Sequence, residues 1–241
     1  MKKKIIIVII ILFLLIGIYS FISNYGVTYL FFDYDNVIKI KNNNYKKIKI
    51  NRVNRLNYSK ASLLTKDGII DGYIGIDHKK DEVNFYDSTM TANNNGIIKI
   101  GDLTLNNKSD LIKDKITESD IGNIIDIIED NNIDETTAYI TKAKLSDDQI
   151  IYSILEFNEE HIISIITIKN DDGNDIEVYK RNITDFKKNY SKLTGIITVE
   201  NSTYPILILS SHTPYTDNGQ CNSVYTYNTN LNKYEPKINC E

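Results

Sequence analysis

Residues 137–180 read TAYITKAKLSDDQIIYSILEFNEEHIISIITIKNDDGNDIEVYK, and this stretch decides the predicted fold. Four apolar segments follow one another at hairpin spacing, with polar turn residues between them. These segments are 137–144, 149–157, 161–169 and 175–180. The stretch therefore predicts an antiparallel meander of four strands.

Further strands are predicted on both sides of the meander. VIKIK at 37–41 and KKIKI at 46–50 alternate apolar residues with lysine, and the asparagines between them favour a turn, so the two segments predict a β-hairpin. Apolar segments bounded by glycine, asparagine and aspartate predict the remaining strands. These strands lie at 68–77, 83–86 and 97–100, and near 194–200, 204–210 and 222–229.

One segment before the meander has the spacing of a helix. Between residues 119 and 131, isoleucines recur at i, i+3, i+4 and i+7, and Ser119 is the expected N-cap. A second short helix is predicted at 183–192. Helices are few and do not alternate regularly with strands, so the predicted fold class is α+β, with a mostly antiparallel β domain.

The N-terminus has the features of a membrane anchor. Three lysines at positions 2–4 precede an apolar run from Ile5 to Ile22, long enough at about 1.5 Å per residue to cross a bilayer core of about 30 Å. The lysines flank one side only, which places the N-terminus in the cytoplasm and the rest of the chain outside. A cleaved signal peptide is the alternative, but Tyr19-Ser20-Phe21-Ile22-Ser23 is a poor cleavage site.

We therefore predict a single-pass protein of the cell membrane, with residues 1–23 as a transmembrane signal-anchor and residues 24–241 as an extracytoplasmic α+β domain. That length fits one domain, and the alternative is two subdomains that meet near 105–118. The composition, 41% hydrophobic and 25% charged, is that of a globular protein. A net charge of −4 argues against nucleic acid as a partner, since a basic footprint is required to bind phosphates.

The two cysteines, Cys221 and Cys240, lie outside the cytoplasm on this topology, where thiols are oxidised. A disulfide between them would connect the C-terminal tail to a strand. It would close a loop of roughly 20 residues and stabilise the fold by about 3 kcal/mol. Two free thiols are the alternative.

No catalytic, cofactor or metal-binding motif is found. The sequence lacks the serine hydrolase, zinc protease and phosphate-loop patterns, and His78 and His161 have no partner at ligand spacing. His212 follows Ser210 and Ser211, and an envelope hydrolase would have to bring it to a serine or aspartate by folding.

Two sets of residues are candidates for surface recognition. The first is formed by the lysines of the predicted hairpin, which we expect on its outer face against anionic headgroups or wall polymers: Lys39, Lys41, Lys47 and Lys49. A solvated strand face is the alternative. The second set consists of tyrosines that either form a recognition surface or pack between strands: Tyr204, Tyr215, Tyr225, Tyr227 and Tyr234.

Three classes of function remain open. The first is a binding module at the cell surface, whose partner is a protein or a cell-envelope polymer. The second is an envelope hydrolase that uses His212. The third is a structural subunit or assembly factor, which would expose a large apolar patch. No cofactor is implied by any of the three.

Overall fold

A computed structural model describes residues 26–32, 36–65, 68–77, 79–80, 82–90, 92–93, 96–107, 116–200, 202–214 and 221–240. Within these ranges no helix is both long and apolar enough to span a membrane. The predicted anchor, residues 1–23, lies outside them. Every strand pairing found is antiparallel and the helices are short, so the chain has the β-rich α+β fold that the sequence predicts.

The N-terminal part forms an eight-stranded sheet, called sheet A. Its strands are β1 Val27–Phe32, β2 Asn36–Lys41, β3 Asn44–Lys49, β4 Lys60–Thr65, β5 Gly68–Asp77, β6 Glu82–Tyr86, β7 Ala92–Asn93 and β8 Ile97–Ile100. Their order across the sheet is β3-β2-β1-β8-β4-β5-β6-β7. A 3-10 helix, Ile50–Leu56, follows β3 and covers one face of the sheet through the buried Ile50 and Val53.

Two further sheets complete the fold. Sheet C is the predicted meander: β10 Tyr139–Ser146, β11 Gln149–Phe157, β12 Ile162–Asn170 and β13 Ile176–Ile183. Sheet B contains β9 Leu105–Asn107, β14 Tyr190–Val199, β15 Ile206–His212, β16 Cys221–Asn228 and β17 Lys233–Ile238. Its order is β17-β16-β15-β14-β9.

Sheet B lies between the other two sheets. Along β15, Ile206 packs in the core shared with sheet A, and its neighbour Leu207 packs in the core shared with sheet C. Because successive side chains of a strand point to opposite faces, both faces of sheet B are buried. Helix α1, Glu118–Asp130, covers the far side of sheet C through Ile124 and Ile128.

The N-terminus of α1 is fixed by a buried carboxylate. Thr117, not Ser119 as predicted, is the N-cap, and Asp120 completes a capping box with it. The Asp120 carboxylate accepts hydrogen bonds from Lys142 Nζ at 2.7 Å and from Tyr152 Oη at 3.0 Å. Burial alone would raise the pKa of Asp120, but the hydrogen bonds from Lys142, Thr117 and Tyr152 outweigh it and lower the pKa to about 2.

The short helix predicted at 183–192 is wrong. The carboxylate of Asp185 accepts from the backbone N–H of Lys187 at 3.1 Å, and Lys188 N–H donates to the Asp185 carbonyl at 2.9 Å. An aspartate that hydrogen-bonds the nearby backbone competes with helix formation, so a turn forms here instead of a helix. This turn ends the meander and leads into β14.

Candidate functional site: the uncovered face of sheet A

Sheet B covers only part of the face that sheet A presents to it. The shared core takes its sheet A side chains from β1, β2, β3, β4 and β8. Among the described residues, no member of β5 or β6 belongs to this core. That half of the face is open, and we call it the uncovered face.

Strand register aligns two rows of side chains across the uncovered face. Lys60 of β4 pairs with Tyr73 of β5, which pairs with Tyr86 of β6. Two positions along the strands, Asp71 pairs with Ser62, which pairs with Lys99 of β8. Because paired residues lie on the same face, the first row brings Lys60 beside two tyrosines, and the second brings Asp71, Ser62 and Lys99 together.

The tyrosine side of this face is a cleft of about 440 Å³. We call it the tyrosine cleft, and its side chains include Tyr58, Tyr73, Tyr86 and Met90. Gly75 also lines the cleft, and the Tyr86 ring packs over it, since an added Cβ there would lie 2.7 Å from Cε2 of Tyr86. Tyr58 is 80% exposed, Met90 75% and Tyr73 47%. Large side chains are rarely left this exposed together unless they bind something.

Two of these residues have an unfavourable backbone conformation. Tyr58 has φ +65° and Met90 has φ +61°, in the left-handed region where bulky side chains are outliers. Tyr58 is held there because its N–H donates to the carbonyl of Ile74 at 2.9 Å, and Asn57 Oδ1 accepts from Ile76 N–H at 2.9 Å. The fold thus imposes strain on residues whose side chains contribute little to the core.

The charged side of the face is a second cleft, of about 500 Å³, which shares Tyr73 with the first. We call it the polar cleft. Its lining includes Lys60, Ser62, Asp71, Ser88, Lys99 and Asp102. Ser62 Oγ donates to Asp71 Oδ1 at 2.9 Å, and Lys99 Nζ donates to the carbonyl of Leu103 at 3.1 Å. The two lysines and two aspartates balance in charge, and none forms an ion pair with another described residue.

Gly101 lines the polar cleft where the chain leaves sheet A. Its φ is +121°, and an added Cβ would lie 2.6 Å from the Val27 carbonyl oxygen. Only glycine fits this position. Because Val27 is the first residue of β1, the cleft adjoins the end of the sheet at which β1 begins.

The four lysines predicted to share one face of the hairpin do not share it. Lys39 pairs with Lys46, whereas Lys47 pairs with the buried Ile38, so Lys39 and Lys41 lie on one face and Lys47 and Lys49 on the other. Lys41 pairs with Val27, while Lys49 lies about five residues, or roughly 17 Å, further along the strands. The two-residue turn at Asn42 and Asn43 fixes the register of the hairpin, and this register places the two pairs of lysines on opposite faces.

The C-terminal tyrosines described by the structure pack between strands. Tyr225 and Tyr234 are buried in the core between sheets B and C. The rings of Tyr204 and Tyr227 are stacked with centroids 3.6 Å apart. Burial, followed by the neighbouring Tyr204, raises the pKa of Tyr227 to about 12. Tyr215 lies outside the described residues.

His212 ends β15 and is half-buried, with its ring stacked on Tyr190 at a centroid distance of 5.5 Å. Burial, and secondly the charge of Lys192, lowers the pKa of His212 below its ordinary value of 6.5. Its Nε2 and the Oγ of Ser211 are buried without a hydrogen-bond partner among the described residues. Those residues bring no carboxylate within ion-pair distance of His212.

The other two histidines are separate from His212. His161 lies in the turn before β12, where Nε2 is 3.5 Å from the buried Glu156 Oε2 and 2.9 Å from Asn158 Nδ2. His78 lies outside the described residues. Within the described ranges, no three metal-ligating side chains are grouped to hold a metal ion.

The two cysteines are at bonding distance and form a disulfide in the structure, with Cα atoms 5.7 Å apart. Cys221 begins β16, and Cys240 follows β17, where its N–H donates to Ser223 Oγ at 3.1 Å. The bridge therefore connects the C-terminal tail to sheet B, as predicted.

Sequence reasoning missed the tyrosine cleft altogether. Its only local signal is in the GIIDGYIGID segment, where Tyr73 and Gly75 alternate with the buried Ile74 and Ile76. The pattern separates the two faces of β5, but it does not show that one face remains uncovered. That fact depends on how far sheet B extends.

Comparison of the chain with protein-family models, curated proteins and solved structures found no match.

Proposed function

We propose that this protein is a binding module held at the outer surface of the cell membrane by its N-terminal segment, and that the uncovered face of sheet A is its binding surface. Its partner belongs to the cell envelope. The observation that carries this proposal is the grouping of Tyr58, Tyr73 and Met90, all exposed, in one cleft.

A purely structural role does not account for this grouping. Tyr139 and Leu231 are exposed to a similar degree, but they line neither cleft. Isolated apolar side chains on a surface are ordinary, whereas a contiguous group next to a concave polar site is typical of ligand binding. The backbone strain at Tyr58 and Met90 supports the same conclusion, since strain is concentrated where function requires a particular side chain.

Tyrosine footprinting on intact cells tests both parts of the proposal. Cells that carry the full-length protein are treated with a membrane-impermeant, tyrosine-selective reagent, and the same reaction is run on the purified full-length protein. Mass spectrometry then compares labelling of Tyr58 and Tyr73 with labelling of Tyr139, which is 68% exposed on sheet C and serves as the matched control.

We expect all three tyrosines to react in the purified protein. On cells, Tyr139 should still react, while Tyr58 and Tyr73 should be protected by the bound partner. Equal labelling of the three on cells would overturn the assignment of the binding surface. Labelling that appears only after the cells are opened would overturn the location outside the membrane.

A further inference from the structure

We propose that the ligand of the uncovered face is an uncharged carbohydrate chain, with sugar rings stacked in the tyrosine cleft and hydroxyl groups bound in the polar cleft. This inference rests on the proposed function and specifies the chemistry of its partner.

The two clefts form one elongated site. Tyr73 lines both, and the rows through Tyr73 and Asp71 are two residues apart on β5, or about 7 Å. From Gly75 in the first cleft to Asp71 in the second, the site extends about 14 Å along the strand. Each cleft alone has a volume within the range of about 300–1,000 Å³ that small-molecule sites occupy. The shape therefore suits a chain of several units.

The charges of the polar cleft select against ionic polymers. Lys60 and Lys99 would attract a polyanion, but Asp71 and Asp102 in the same cleft would repel it. A polycation would be attracted by the two aspartates but repelled by the two lysines. A ligand with no net charge avoids both repulsions and can hydrogen-bond to the ammonium and the carboxylate groups alike.

The composition of the polar cleft also argues against a protein as the ligand. The buried centre of a protein interface is depleted of lysine, aspartate and serine, which are the residue types of this cleft. Binding a protein there would desolvate these groups, and each would need a new partner of fixed geometry. A glycan supplies many hydroxyl groups that both donate and accept, so it can satisfy them without a unique register.

The tyrosines provide a surface for the apolar C–H face of a sugar ring. An aromatic ring has a negative face, and the axial C–H groups of a pyranose carry partial positive charge, so the two stack. Tyr58, Tyr73 and Tyr86 all line the cleft, and the Tyr86 ring packs directly over Gly75, so aromatic rings form the surface on which a sugar ring would stack. The face thus provides an apolar platform beside a group of hydrogen-bonding side chains.

Isothermal titration of the full-length protein in a detergent without a sugar headgroup tests the inference. The probes are the tetrasaccharides of N-acetylglucosamine and of cellulose, with poly(glycerol phosphate) as the anionic comparison. The variants are Tyr73→Ala, Tyr73→Phe and, as a matched control on an exposed tyrosine outside both clefts, Tyr139→Ala.

We expect saturable binding of at least one tetrasaccharide and weaker or no binding of poly(glycerol phosphate). Tyr73→Ala should weaken tetrasaccharide binding by about tenfold, Tyr73→Phe by less than about threefold because the ring face is kept, and Tyr139→Ala should not change it. Absence of binding by both tetrasaccharides, tighter binding of the polyanion, or equal loss in the Tyr73→Ala and Tyr139→Ala variants would overturn the inference. If the tetrasaccharides fail while Tyr58 and Tyr73 are protected on cells, the carbohydrate is wrong and the binding surface is retained.

Discussion

Tyr73 lies directly opposite Tyr86 on neighbouring strands of sheet A, on the face that sheet B covers elsewhere. Had sheet B extended over β5, both rings would lie in a core. Because it does not, Tyr73 remains 47% exposed beside Tyr58 and Met90. This relationship separates the tyrosines of the cleft from those of the core and underlies the proposed binding surface.

The strain at Tyr58 predicts a conflict between stability and binding. At φ +65°, glycine has no steric penalty, so Tyr58→Gly should raise the free energy of unfolding by about 1 kcal/mol or leave it unchanged, although a tyrosine side chain is lost. The same variant should lose binding. Chemical denaturation of the full-length protein measures the first effect, and footprinting of the remaining Tyr73 on cells measures the second.

Tyr139→Gly is the control, because Tyr139 lies in β10 and glycine weakens a strand. It should destabilise the fold and leave protection of Tyr73 intact. A clear loss of stability in Tyr58→Gly would show that the Tyr58 side chain has a structural role and would remove this support for the binding surface.

The Asp120 carboxylate predicts a stability contribution that is lost in acid. Its pKa is about 2 in the folded protein against 3.8 ordinarily, so the contribution is complete above pH 3.8 and disappears as the pH falls toward 2. Asp120→Asn should therefore be less stable than the native chain by about 2 kcal/mol at pH 6, and the difference should shrink near pH 2. Urea denaturation at a series of pH values measures this change.

Asp126→Asn gives the matched comparison, since Asp126 also pairs with a lysine, Lys169 at 3.1 Å, but its side chain is 61% exposed. An exposed pair contributes less than about 1 kcal/mol. Equal effects of the two substitutions at pH 6 would contradict the role assigned to the buried carboxylate.

The environment of His212 predicts that its imidazole titrates below pH 6.5. Burial and the charge of Lys192 both disfavour the imidazolium, so NMR titration of the ring should give a lowered midpoint, and Lys192→Gln should move it upward. The folded pKa of His212 lies below the unfolded value, so the free energy of unfolding is not reduced by this group above pH 6.5. It decreases as the pH falls from 6.5 toward and through the folded pKa, because protonation then favours the unfolded chain. A titration midpoint above pH 6.5 would contradict this prediction. It would indicate a carboxylate near His212 and would favour the hydrolase hypothesis.

The disulfide predicts sensitivity to reduction. Cys221 and Cys240 are 19 residues apart, and opening this loop should lower the free energy of unfolding by about 3 kcal/mol. Thermal unfolding with and without reductant measures the loss. The double variant Cys221→Ser, Cys240→Ser should have the same stability as the reduced protein, and reductant should not change it. A reductant effect that persists in the double variant would exclude the bridge as its cause.

Local sequence periodicity predicted the meander, the hairpin and helix α1, because each is specified by neighbours in the chain. β1 was missed because all its residues, Val27–Phe32, are buried, and a strand covered on both faces shows no alternation. The lysines were assigned to one face because only the pairing of Lys47 with Ile38 reveals the register. The tyrosine cleft was missed for a non-local reason: exposure of Tyr73 is decided by the width of another sheet.

Site-specific photo-cross-linking tests the binding surface most directly. A benzophenone amino acid replaces Tyr58 in the full-length protein in living cells, with the same replacement at Tyr139 as the control, and cross-linked products are identified by mass. We expect a discrete product at position 58, carrying carbohydrate, and none at position 139. The same products at both positions, or none at position 58, would contradict the assignment of the uncovered face of sheet A as a binding surface.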